Sequence, residues 1–263
     1  NGLSFGFNDT ISLSDRQNTG ARLEHAADGS YRLRDYQAEA DDLLGNANGP
    51  VHRLKGNFVW DLPDLSYGGS MGSRALAAIL NDWQISGVWT GSTGAPYTIG
   101  YSYQNGGGSI NLTGSPNYGA RIRVVGDPGN GCSNNDVYRQ FNTAAFQGPL
   151  VGSVGLESGN DYLRGCFLST LDLAIARNIR LGGGRAVQIR LDVFNATNSA
   201  TITGRNTTIN LTSPNDPVTA TNLPFDNNGN LIESRSLPRN AGFGVASGYQ
   251  SPRSMQLQLR FSF

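Results

Sequence analysis

Two histidines and two cysteines carry most of the side-chain chemistry that this 263-residue sequence could offer. His25 stands in RLEHAADG and His52 in VHRLKGN. Neither has a nucleophile or a second ligand at a productive spacing, and the sequence holds no G-x-S-x-G turn, no H-E-x-x-H helix and no phosphate-binding loop. Cys132 and Cys166 lie in Gly/Asn-rich sequence without the further His or Cys residues of a zinc site. An oxidised pair is expected, with two unrelated thiols as the alternative. Asp172 and Asp192 could act as an acid/base pair, as in a glycosidase. Arg190 and Arg260 on the same polar tracks make charge pairing the better reading. DNNGN (226–230) alternates possible cation ligands, but its glycine falls at the fourth position and no glutamate follows at the twelfth, so a turn is expected. The expectation is a protein with no catalytic residues, no cofactor and no metal site.

The elements around these residues are more telling. From Met255 to Phe263 every odd position is apolar (Met255, Leu257, Leu259, Phe261, Phe263), with Gln256, Gln258, Arg260 and Ser262 between them. A period of two marks a strand with one dry and one wet face. LSFGF puts Leu3, Phe5 and Phe7 on one side, and HRLKGNFVWDLP sets Leu54, Phe58, Trp60 and Leu62 against Arg53, Lys55, Asn57 and Asp61. WQISGVW aligns Trp83, Ile85 and Trp89, and YTIGYSY aligns Tyr97, Ile99, Tyr101 and Tyr103. The best hairpin is LSTLDLAIARNIRLGGGRAVQIRLDVFNATN, in which Leu171, Leu173 and Ile175 meet Val187, Ile189, Leu191 and Val193 across Gly182–Gly184. Its opposite face carries Asp172, Gln188, Arg190 and Asp192, while Arg177 falls on the dry track and must snorkel if that track meets lipid.

Charged residues make up 15% of the chain and the formal net charge is zero, which argues against a nucleic-acid partner. No apolar run reaches the ~18 to 20 residues of a spanning helix. Spanning strands need only about 9 to 11 residues, half of them polar. Connections are unequal: a minimal GGG turn contrasts with long polar stretches near 16–50, 105–167 and 199–250. Compact soluble domains seldom carry several such loops. Outer-membrane barrels do, with short periplasmic turns and long extracellular loops. SRALAAILND, with Ser73 as N-cap, is the one candidate helix. The expected fold is all-β, an antiparallel transmembrane barrel meander of about eight to ten strands over residues 1–263. Asp172, Arg190, Asp192, Gln258 and Arg260 would face its lumen and the apolar tracks its lipid. A secreted lectin-like sandwich and a complete small barrel are the alternatives.

In this order, HRLKGNFVWDLP, NDWQISGVWTGSTGAPYT, FNTAAFQGP, YLRG, LDLAIARNIRL, IRLDVFNATN and RSMQLQLRFSF resemble the C-terminal barrel of TonB-dependent outer-membrane receptors. The Oar-like group, with its carboxypeptidase-regulatory-like N-terminal domain, is the nearest type. The resemblance implies a bacterial outer-membrane location and a fragment that lacks the plug through which the parent would contact the TonB complex. It implies import of a scarce small solute, oligosaccharide or peptide. It further implies that Phe261 and Phe263 form a C-terminal signal read by the barrel-assembly machinery.

Overall fold

The computed structural model describes residues 2–12, 49–64, 72, 77, 79–104, 110–114, 119–155, 157–159 and 162–263. His25 and Ser73 lie outside these residues. Of the candidate helix, an Asn81 N–H donating to the Ala77 carbonyl (3.0 Å) is described.

Six long strands form one antiparallel sheet, the wall: β1 (Gly2–Ile11), β2 (His52–Asp61), β3 (Trp83–Ser92), β9 (Leu168–Gly182), β10 (Arg185–Phe194) and β15 (Ser254–Ser262). They stand in the order β1-β2-β3-β9-β10-β15, so each strand lies beside its predecessor in the wall. Among the described residues the sheet is open, with β1 and β15 at opposite edges. The register fuses the apolar tracks into one face. Phe5 lies opposite Phe58, and Trp60 opposite Ile85. Ile85 lies opposite Ile175, Leu191 opposite both Ile175 and Leu257, and Ile189 opposite Leu259. A slip of one residue anywhere would turn a whole strand inside out, which is why the pattern fixes the pairing.

The other strands are short: β4 (Pro96–Tyr97), β5 (Gly100–Tyr103), β6 (Arg123–Val124), β7 (Phe146–Gln147), β8 (Leu163–Arg164), β11 (Ile202–Arg205), β12 (Thr208–Ser213), β13 (Asp216–Ala220) and β14 (Ala246–Tyr249). They come from the two long connections β3–β9 and β10–β15, which leave the wall at the end away from Gly182–Gly184 and fold together into a cap. β5 and β12, one from each connection, pair in parallel. The segment YTIGYSY, counted among the eight to ten strands because it alternates, is used here instead of in the wall. Its dry track is dry because it meets a core.

That core also corrects the view of the loops as polar excursions. Ile99, Tyr103, Leu112, Ile122, Phe141, Phe146, Leu163, Ile209, Leu211 and Phe243 are buried together. Phe243 meets Phe141 at 5.1 Å and Phe146 at 6.0 Å between ring centroids, both edge-on, the geometry aromatic quadrupoles favour. The backbone comes equally close at the root of the cap, where the Gly165 N–H donates to the Ala95 carbonyl (2.9 Å). A Cβ at Gly94 would overlap the Gly165 carbonyl oxygen. Gly94→Ala is therefore expected to cost about 1–3 kcal/mol through forced backbone movement. Limited proteolysis of the variant should cut within 93–167 while the wall stays resistant.

Candidate functional site

The two faces of the wall differ in chemistry. On the polar face the Arg190 guanidinium grips Asp192, with Nε donating at 2.9 Å and Nη2 at 2.8 Å from the same carboxylate oxygen. Gln258 stands opposite Arg190 and Arg260 opposite Gln188, so these four polar residues share the face. Asp172 accepts the Asn195 N–H at 2.8 Å. Asn195 turns the chain out of β10 with φ 49°, and its amide donates to the Ser199 and Ser251 carbonyls. Asp172, Asp192 and Arg190 border a shallow hollow of about 460 Å³, with Asn57 and Ser86 on its far side.

The apolar face ends in polar pairs at both rims. Toward the cap, His52 Nδ1 lies 3.1 Å from Asp9. His52 thus opens a strand and holds a neighbour. Toward the GGG turn, Arg177 stands opposite Trp83, its guanidinium 5.6 Å from the ring centroid and its Nε donating to the Asn81 carbonyl at 3.2 Å. This supplies the edge that a cation on a dry track requires. Ten residues separate His52 from Leu62, whose N–H donates to the Trp83 carbonyl. At ~3.3 Å per residue that is roughly 33 Å along the strand. A tilt of ~40° reduces it to roughly 25 Å, the height of the apolar band of an outer-membrane barrel. Within the band Phe5, Leu257, Leu259 and Phe261 are exposed, as is Phe263 beyond the strand end.

Residues 1–256 match the family model of an outer membrane beta barrel domain. The chain belongs to that family. No curated protein and no solved structure matches it. Membership gives the protein its outer-membrane location, and as an outer-membrane barrel domain it can expose an apolar band on this scale. No helix among the described residues is long and apolar enough to cross a membrane.

The barrel domain's cap carries the second candidate site. Cys132 and Cys166 are bonded there, with Cα atoms 5.1 Å apart, beside buried Ile202 and Ala246. Next to the bond, Tyr97 donates to the Gly131 carbonyl at 2.6 Å and lies under the Arg205 guanidinium, 4.6 Å from the ring centroid. Burial raises the Tyr97 hydroxyl's pKa, a shift the cation partly offsets, and burial lowers that of Arg205. Tyr103 donates to the Pro149 carbonyl at 2.6 Å, and burial pushes its hydroxyl up to about 12. Burial takes Tyr162 to about 12 as well. A cleft of about 530 Å³ opens beside β5, with Tyr101 on one side and Arg121 and Ser158 on the other. The Arg121 guanidinium donates to the Ser158 carbonyl at 3.0 Å, and Glu157 accepts the Arg121 N–H at 3.2 Å. The sequence pointed to Cys132 and Cys166, but YTIGYSY reads there as one more wall strand, and Arg121 and Ser158 sit in unpatterned sequence.

DNNGN is a turn: Asp226 accepts the N–H groups of Asn228 (2.9 Å) and Asn230 (2.8 Å). Those bonds, Asn230's first, lower the Asp226 pKa. Among the described residues no group of three His, Cys, Asp or Glu could hold a metal.

Two outcomes follow for the cap. Tyr103 and Tyr162 are held neutral above the ordinary tyrosine value of 10.0. The unfolded cap therefore loses those protons first, and the stability they lend, complete below pH 10, should fall as pH rises through about 12. Tyrosinate absorbance should show this late phase together with cap loosening. Cys132→Ser opens a 34-residue closure, worth roughly 4 kcal/mol at most in the chain-entropy model. Protease should then enter the cap more readily, with the wall unchanged.

Proposed function

We propose that this barrel domain is the wall segment and outer cap of a TonB-dependent receptor, which binds a scarce solute at the cell surface and imports it. The observation that carries this reading is the open wall: six spanning strands with, among the described residues, both edge ladders free and apolar side chains exposed along each. Unpaired backbone groups are untenable in hydrocarbon, so the wall needs further strands to close. It belongs in a larger barrel, and barrels of about 22 strands are plugged transporters. The folded cap at the long-loop end supplies a surface for recognition.

In this reading Asp172, Arg190, Asp192, Gln258 and Arg260 line the lumen, and the apolar band meets outer-membrane lipid. The GGG turn is periplasmic and the disulfide-bonded cap extracellular, where the bond is stable. The plug of the parent protein engages the TonB complex. Exposed Phe261 on the free edge of β15 is offered to the barrel-assembly machinery together with Phe263. No catalysis is proposed: Asp192 is paired with Arg190, and Asp172 is occupied by the Asn195 N–H.

Vesicles of outer membrane carrying the parent protein should capture the purified C-terminal domain of TonB. Capture no greater than by vesicles lacking the protein overturns the receptor reading. For the faces, Gln258→Cys should react with a membrane-impermeant maleimide and Leu259→Cys should not; the reverse pattern sinks the register. Leu259→Arg should cost roughly 2–4 kcal/mol near the midplane, read from the denaturant midpoint of the folded, heat-modifiable band.

A further inference from the structure

We infer that the cleft beside β5 binds an extended peptide, which joins the cap as an added strand. The inference rests on the reading of the cap as the ligand-facing end and names the class of ligand. In a parallel pair, alternate residues of a strand turn their backbone groups toward a given neighbour. The Gly100 N–H donates to Thr207 (2.9 Å) and the Gln104 N–H to Leu211 (2.8 Å), which fixes the phase: even-numbered residues face β12. The N–H and C=O groups of Tyr101 and Tyr103 therefore point the other way. On that side β5 ends its sheet among the described residues, and the cleft of about 530 Å³ runs along it.

The chemistry of that edge selects the occupant. Donors and acceptors that repeat every second residue, roughly 7 Å apart, are matched in spacing by another extended backbone. The cleft offers apolar surface from Ala120 and the half-buried Ile110 for alternate side chains of such a strand. It also offers one polar group in need of a partner: Ser158 is 8% exposed, lines the cleft, and its hydroxyl makes no hydrogen bond among the described residues. A buried hydroxyl left unpaired costs free energy that a bound amide would recover. Four residues of β5, roughly 13 Å, set the length of ligand read at about four to six residues. Recognition through the backbone tolerates many sequences, which suits uptake of mixed peptides.

The test uses outer-membrane vesicles carrying the parent protein and a dye-labelled, end-capped hexapeptide of alternating Thr and Val. Three forms are compared by fluorescence anisotropy: unmodified, N-methylated on one edge, and N-methylated at every residue. The unmodified peptide and the one-edge form should bind, the latter through its intact edge, and the fully methylated form should bind at least about tenfold more weakly. Tyr101→Pro, which removes a cleft-facing N–H and no bond to β12, and Ala120→Trp, which fills the cleft, should each weaken the unmodified peptide to a similar degree. Equal binding of all three peptides, or no saturable binding of the unmodified one, overturns the inference. Displacement of the peptide by maltohexaose with a potency unchanged in Tyr101→Pro would assign the cleft to sugars and overturn it as well. Because no energy source is present, loss of peptide binding with intact TonB capture removes this inference alone, and the converse removes only the receptor reading.

Discussion

Everything in this chain follows from the need of the backbone for hydrogen bonds where water is absent. Inside a bilayer a strand must give every N–H and C=O to a neighbouring strand, so the wall is a continuous antiparallel ladder and its strands must be long. The side chains are then free to follow a simple rule, apolar outward and polar inward, and the ladder converts that rule into a band. The ends of the band are set by residues that cannot stay in it: Asp9 with His52 at one rim, Arg177 over Trp83 at the other. Each is held by a partner across the strands, so the rim is built into the pairing itself.

Outside the bilayer the same backbone can meet water, and the cap obeys ordinary globular rules. It buries aromatic rings, aligns a parallel strand pair from two distant connections, and closes with a disulfide. Its tyrosines hold their protons because burial disfavours the phenolate, and Tyr97 and Tyr103 also donate to carbonyls. Among the described residues its small sheet ends at β5 without a further strand, in contrast to the wall, where an unmatched edge in hydrocarbon would be intolerable.

The wall was legible in the sequence because period two is a local signal. Val187–Val193 and Met255–Phe261 show it without a break, and the register pairs them as the pattern demands. The common face of Asp172, Arg190, Asp192, Gln258 and Arg260 follows from parity alone. The cap was not legible, for two physical reasons. Alternation in YTIGYSY says only that one side is dry, and protein interior and lipid are equally dry. The core that dries it also arrives from more than a hundred residues away, as Ile209, Leu211 and Phe243, through contacts that no local window contains. Asp172 shows a smaller version of the same limit: its charge suggested an ion pair, while the structure spends it on the backbone of Asn195.

The roots of the cap bear on the order in which the chain can fold. β3 and β9 are separated by the whole of residues 93–167, yet Pro96 pairs with Arg164 just beyond their ends. Likewise Ile202 pairs with Tyr249 just beyond β10 and β15. Chain entropy opposes any contact between strands so remote in sequence, and the opposition grows with the logarithm of the free loop's length. Once the cap has formed, that loop is no longer free: the strand ends already stand a few residues from their partners. The wall can then zip from its cap-side rim as a series of effectively short hairpins, and residues of the cap accelerate the assembly of the strands below them.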